Sequence, residues 1–221
     1  MPAYARIVIP DLPHHITQRG NRRQRVFFDD EDKAFYLRLL KKYSEEAKVA
    51  FWAYCIMDNH VHLVAVPSDE AGLARTFGNT HKFYTKTINA RNKWKGFLWQ
   101  GRFSSFPMDE SYLYNSIRYI ETNPVRAKLV RNARDWDFSS ARAHIDKSFD
   151  PLLRTSPLDT SISNWEAYLE SALPNSTLEE FRVHAKNGLP LGSEKFLQGL
   201  EEMTGLPMVK RKPGPKNEFP K

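Results

Sequence analysis

The chain predicts an α+β fold: an antiparallel β-sheet with helices packed on it, followed by a small helical region. Three observations carry this. Two-residue alternation and 3.6-residue periodicity follow one another as strand, helix, two strands, helix, strand, helix through Pro124. The two adjacent strands are joined by only Asp58 and Asn59, which permits nothing but an antiparallel turn. Beyond about residue 145 the texture changes to Pro/Ser/Asp-rich sequence and short helical patterns.

The elements follow in order. HHITQRGN (14–21) alternates and then meets Gly-Asn, a strand running into a turn. DDEDKAFYLRLLKKYSEEAK (29–48) opens with acids that suit a helix dipole and places Phe35, Leu39 and Tyr43 on one stripe. VAFWAYCIMD and HVHLVAVP are rich in aromatic and β-branched residues and read as strands. GLARTFGNTHKFYTKTINARNK (72–93) is a basic helix, and GFLWQGRFSSFPM (96–108) holds another strand or a short hairpin. DESYLYNSIRYIETNP is a third helix, stopped at Pro124. Residues 148–163 read as a linker or surface loop. A helix then starts from a capping box at Ser176 and stops at Gly188, and a last one runs from Ser193 to Gly205. The division expected is a principal domain over 1–145, a linker and helical region over 146–208, and a basic, disordered tail over 209–221.

The net charge of +7 favours an anionic partner, and it is unevenly placed. Residues 1–145 carry 23 Lys+Arg against 15 Asp+Glu, whereas 146–221 carry 10 against 11. The single cysteine, Cys55, excludes an internal disulfide and fits a reducing compartment. No segment approaches the roughly 20 apolar residues of a membrane span, and the start of the chain has no secretory pattern, so a cytoplasmic protein without membrane contact is expected.

Two histidines interrupt the apolar strand in MDNHVHLVAVP. Strand side chains alternate, so His60 and His62 share a face while Val61, Leu63 and Ala65 take the other. Such a pair suits a shared metal ion, although two half-exposed strand residues are the commoner meaning of this spacing. On the third helix Leu113, Ile117 and Ile120 form the core stripe, and Tyr112, Ser116, Tyr119 and Asn123 form a polar-aromatic stripe beside it. Tyrosines on such an edge ordinarily pack inward and leave the hydroxyl wet. Together, a histidine pair, a helix-borne phenol and a basic surface supply what phosphodiester transfer through a protein nucleophile requires.

MDNHVHLVAVP resembles the histidine–hydrophobic–histidine motif of the HUH nucleases, and RYIETNPVRAKLV (118–130) is similar to the nucleophile segment of single-tyrosine HUH transposases. HITQRGNRRQRVF (15–27), FLWQGRF (97–103) and WDFSSARAH (136–144) extend the likeness, in order, to the REP-associated tyrosine transposases. The resemblance covers about two thirds of the chain. It implies a ferredoxin-like or RRM-like sheet, His60 and His62 as metal ligands with Asn123 as a third, Tyr119 as nucleophile, and Mg²⁺ or Mn²⁺ as the ion, of which Mn²⁺ suits imidazole better. The family's usual proline before Asn-His is Asp58 here.

The activity implied is metal-dependent cleavage and transfer of single-stranded DNA at hairpin-forming repeats, through a 5′-phosphotyrosine. A nucleic-acid-binding regulator that keeps the fold without transposition is the alternative. A replication or conjugation initiator ranks behind both, because such proteins normally bring a helicase and the chain has no GxxxxGK[ST] phosphate loop. Arg19, Arg22, Arg23, Arg25, Lys82, Lys86, Arg91, Lys93, Lys95 and Arg102 are the expected contacts to single-stranded or hairpin DNA, and Trp94 and Trp99 either stack on bases or pack. The tail KRKPGPK could lie in a minor groove. A monomer is expected over a homodimer.

Overall fold

The computed structural model describes residues 6–208, so the basic tail expected over 209–221 lies outside the described residues. Four strands, β1 (His14–Arg19), β2 (Val49–Met57), β3 (His60–Pro67) and β4 (Ser104–Pro107), form one sheet in the order β2-β3-β1-β4, with every neighbouring pair antiparallel. The expected α+β class is therefore what the chain adopts. β1 comes first in sequence yet lies inside the sheet, with His14 opposite both Ala65 of β3 and Pro107 of β4.

Alternation gives each face its own core. On one face Ile16, Val61, Leu63 and Ala65 pack with Tyr36 and Leu40 of α1 (Asp30–Ala47) and with Leu73, Phe77, Tyr84 and Ile88 of α2 (Gly72–Asn92). α1 forms where expected: the Asp29 carboxylate accepts from the Asp32 amide at 2.8 Å, and three acids occupy the first turn. On the other face Ala53, Cys55, Val64 and Phe106 meet Leu113, Ile117 and Ile120 of α3 (Glu110–Glu121). Each such fully buried aliphatic side chain contributes about 1.5–3 kcal/mol.

Three local expectations need correction. α3 ends at Glu121 rather than at Pro124, and the chain re-enters a short helix, α4 (Asn123–Arg126), with Pro124 in its first turn, where a missing N–H costs nothing. The capping box at Ser176 does not form. α8 (Asn175–Asn187) starts one residue earlier, after Pro174, whose φ of −57° and ψ of 144° place it at the cap and put Ser176 inside the first turn. Residues 148–163 are anchored rather than free, because Leu152 and Leu158 are buried and Leu153 bridges to Phe51 of β2. A single helical turn, α6 (Leu158–Ser161), lies in this stretch.

The later helices close over α3. α5 (Ala141–Asp146) and α7 (Trp165–Glu170) supply partners to Glu121, which is fully buried. Its Oε1 accepts from Ser140 Oγ at 2.5 Å and from His144 Nδ1 at 2.6 Å, and its Oε2 accepts from Trp165 Nε1 at 2.8 Å. Burial alone would lower the His144 pKa, but the charge and hydrogen bond of Glu121, helped by Asp159 and Asp150, raise it instead. Glu121→Ala strands the His144 and Trp165 donors, Ser140 Oγ keeping the Tyr54 carbonyl at 3.3 Å, and should destabilise the protein by about 3–5 kcal/mol, readable by chemical denaturation. A loss below about 1 kcal/mol would mean that water replaces the carboxylate. α9 (Glu194–Thr204), capped by Ser193 and ended by Gly205 at φ 68°, packs its Leu200 with Ile7 and Ile9.

Candidate active site

β1 leaves the sheet through Gly20, where a Cβ would lie 2.3 Å from the Gln24 carbonyl oxygen, so only glycine lets the Asn21–Gln24 turn fold back. Gly20 N–H bonds to Asn59 O at 2.8 Å, and Asn21 N–H bonds to Leu98 O at 2.9 Å. The β1 exit, the β2–β3 turn and the segment after α2 thus meet at one end of the sheet, where His60 stands. Asp58, the first residue of the β2–β3 turn, pairs with Lys33 at 3.1 Å and with Arg25 at 3.4 Å, tying α1 to this turn.

His60 and His62 project from the α3 face with ring centroids 5.1 Å apart. The Tyr119 ring stands perpendicular to His62 at 5.4 Å, and Asn123 Nδ2 lies 3.2 Å from His60 Nε2. The fold therefore brings Tyr119, His60, His62 and Asn123 together on the polar stripe of α3 and its continuation. Tyr112 stands apart, near Glu180, whose charge adds to burial in raising its pKa.

Each histidine is held by its other nitrogen. His60 Nδ1 is 2.6 Å from Asn59 Oδ1, an acceptor, so it carries the proton and leaves Nε2 as a lone pair toward Asn123. His62 Nδ1 is 2.9 Å from His15 Nε2, and His15 Nδ1 is 3.0 Å from Ser116 Oγ. If His62 donates to His15 and His15 donates to Ser116, His62 Nε2 is free to bind; the reverse direction would protonate it. His15 was not singled out from sequence, because its ring meets Phe106, Tyr119 and Phe181 only once the strands and helices have packed.

Burial keeps these imidazoles neutral. The His60 pKa is lowered to about 4, by burial first and then by Arg19 and Arg126. That of His15 falls to about 3 by burial, and that of His62 lies well below the ordinary value. His14 and His81 are likewise lowered, to about 4 and about 3. A depressed folded pKa gives stability that is present above the unfolded value near 6.5 and is lost as pH falls toward the folded value. The protein should therefore destabilise steeply between pH 6.5 and 4, each such histidine adding up to about 1.4 kcal/mol per pH unit. Melting temperatures measured across that range check this, and a flat response would contradict neutral burial.

The set fits a divalent ion: two neutral imidazoles and one amide, whose oxygen faces the site if the Asn123 amide is turned over. Among the described residues no group of three or more His, Cys, Asp or Glu stands in an arrangement that could hold a metal ion.

The basic residues divide. Arg19 sits opposite His60 across the β1–β3 pair, and Arg22, Arg23 and Arg25 are exposed on the following turn. Lys93 and Lys95 are exposed after α2, beside Trp94, which is 47% exposed, and Phe97, which is 88% exposed. Arg102 is exposed on the segment leading into β4. Lys82 and Lys86 lie on α2, which covers the sheet face away from the histidines. Arg91 is tied to Asp32 at 2.8 Å, and Trp99 is a buried core residue.

A search of curated proteins found no match. Among solved structures, the chain is similar to a REP-associated tyrosine transposase bound to a REP hairpin, with TM-score 0.54 and 19% identity over 71% of this chain and 93% of that one. It also aligns with a candidate transposase from Deinococcus radiodurans R1, with TM-score 0.39 and 17% identity over 53% of this chain and 95% of that one. The first likeness shows a shared fold. The family described as "Transposase IS200 like" matches residues 9–123, more than half of the chain, and the protein belongs to that family.

Proposed function

We propose that the protein cuts and rejoins single-stranded DNA at hairpin-forming repeats, with Tyr119 as nucleophile. The observation that carries this is the convergence of Tyr119 and Asn123 from one helical run on His60 and His62, both held neutral by burial and each oriented through its Nδ1. The Tyr119 oxygen attacks phosphorus, the 3′-oxygen of the neighbouring nucleotide leaves, and the phosphate remains on tyrosine as a 5′-phosphodiester. Rejoining reverses these bonds with a 3′-hydroxyl as attacking group.

His60, His62 and Asn123 would hold Mg²⁺ or Mn²⁺, which when bound neutralises a non-bridging phosphate oxygen. His15 and Ser116 set the tautomer and ring plane of His62. Arg126, whose guanidinium carbon lies 4.2 Å from the Tyr119 ring centroid, fixes the ring and places positive charge beside the reacting oxygen. Arg19, Arg22, Arg23, Arg25, Lys93, Lys95 and Arg102 follow the phosphates. Lys82 and Lys86 would serve only DNA that wraps to the other face of the sheet. The hairpin-bound relative of the same fold supports hairpin DNA as the substrate class.

The test incubates the full-length protein with a hairpin oligonucleotide from the DNA flanking its gene, with Mn²⁺ and with a chelator. A covalent adduct that survives denaturing electrophoresis with Mn²⁺ and disappears with chelator is expected. Hairpin binding without any adduct would favour the regulatory alternative.

A further inference from the structure

A cavity of about 450 Å³ opens on the side of α3 and α4 turned toward α7, and four arginines line it: Arg118, Arg126, Arg131 and Arg134. That size accommodates a small organic ligand or one nucleotide. Arg134 pairs with Asp146 at 2.9 Å and stands 3.9 Å from Glu166, which with Glu170 also lines the cavity. Arg118, Arg126 and Arg131 have no carboxylate partner among the described residues. Counting Asp146 with Glu166 and Glu170, four cations against three carboxylates leave a positive surplus, carried by Arg118, Arg126 and Arg131, facing an interior that is largely apolar, with Val125 and Leu169 among its walls. Arg118 stacks on Tyr168, its guanidinium carbon 4.5 Å from the ring centroid, and its Nε is buried with no hydrogen-bond partner. A buried donor left unpaired on a guanidinium that lines a cavity is costly unless a ligand oxygen reaches it.

Arg126 ties the cavity to the reaction. Its Nη1 donates to Thr122 Oγ1 at 2.6 Å, and its guanidinium lies over the Tyr119 ring at 4.2 Å. The cavity therefore begins one side chain away from the nucleophile. We propose that it is a DNA subsite, distinct from the metal-side contacts, that takes one unstacked nucleotide of the single strand adjoining the cut phosphate. Its phosphate lies among Arg118, Arg126 and Arg131, and its base lies against the apolar wall. This inference rests on the function proposed above. Sequence reading passed over these arginines because they are scattered between residues 118 and 134 with no cluster to mark them.

The test measures binding rather than cutting, so that failure of the subsite and failure of the cleavage reading can be told apart. The full-length Tyr119→Phe protein is titrated with a blunt hairpin and with the same hairpin carrying a few unpaired nucleotides on the 5′ side, on the 3′ side or on both. Arg131 is exposed, so Arg131→Ala should fold normally, and an unchanged melting temperature checks this. Arg131→Ala should weaken one flanked hairpin about tenfold more than the blunt one, and should lower the salt slope for the flanked hairpin by about one. An abasic residue at a single flank position should cause a comparable loss that does not add to that of Arg131→Ala. Equal losses on blunt and flanked hairpins, or no loss on either, would overturn the proposal. Absence of a wild-type adduct alongside a preserved flank effect would instead count against the cleavage reading alone.

Discussion

Tyr119→Phe is expected to form no covalent DNA adduct and to lose at least about 10³-fold in cleavage rate, which is about 4 kcal/mol of activation free energy. The ring stays, with its contacts to His62, Phe181 and Arg126, so the melting temperature should hardly move. Only the oxygen is lost. Tyr112→Phe is the control: that tyrosine lies near Glu180, away from the histidines, and its variant should keep the adduct. An adduct that persists in Tyr119→Phe and vanishes in Tyr112→Phe would place the chemistry on the other end of α3.

The double replacement of His60 and His62 by Ala should remove cleavage to a similar extent while hairpin affinity stays within about threefold, because phosphate contacts by Arg and Lys dominate binding. His62 is buried, and its loss leaves His15 without a partner at 2.9 Å, so the fold needs checking by melting. The His60→Asn and His62→Gln single variants keep polar side chains there and should still cut far more slowly than wild type. Asn123→Ala should be milder, since water can replace one amide ligand. Wild-type cleavage by the double variant would remove the metal assignment.

The elements with strong local signals were legible in the sequence. α1, α2 and the β2–β3 pair follow periodicity and turn chemistry that do not depend on distant contacts, and they form within a residue or so of where that periodicity puts them. The stripe from Tyr112 to Asn123 was legible because i and i+4 neighbours on a helix share a face whatever the helix packs on. What periodicity does not encode is which sheet face a helix covers, and so Lys82 and Lys86 could not be separated from Arg19 and its neighbours. Partners distant in sequence were equally hidden. Ser116 meets His15, Glu121 meets Trp165 and Tyr119 meets Phe181 only after the chain has crossed the sheet. Ser176 misled because a capping box depends on where the preceding proline ends its extended conformation.

The sheet order β2-β3-β1-β4 bears on how the protein is made. β1 leaves the ribosome first but is an inner strand, and its partners lie as far downstream as Ala65 and Pro107. At roughly 5–20 residues per second, β1 waits seconds with both edges open while the β2–β3 hairpin forms from its own turn. Tyr119 follows β4, and the aromatic rings that anchor its helix, Trp165 and Phe181, come later still. A growing chain thus carries the imidazoles well before it carries a braced phenol, and the histidines and Tyr119 come to rest against one another only after Phe181 has emerged.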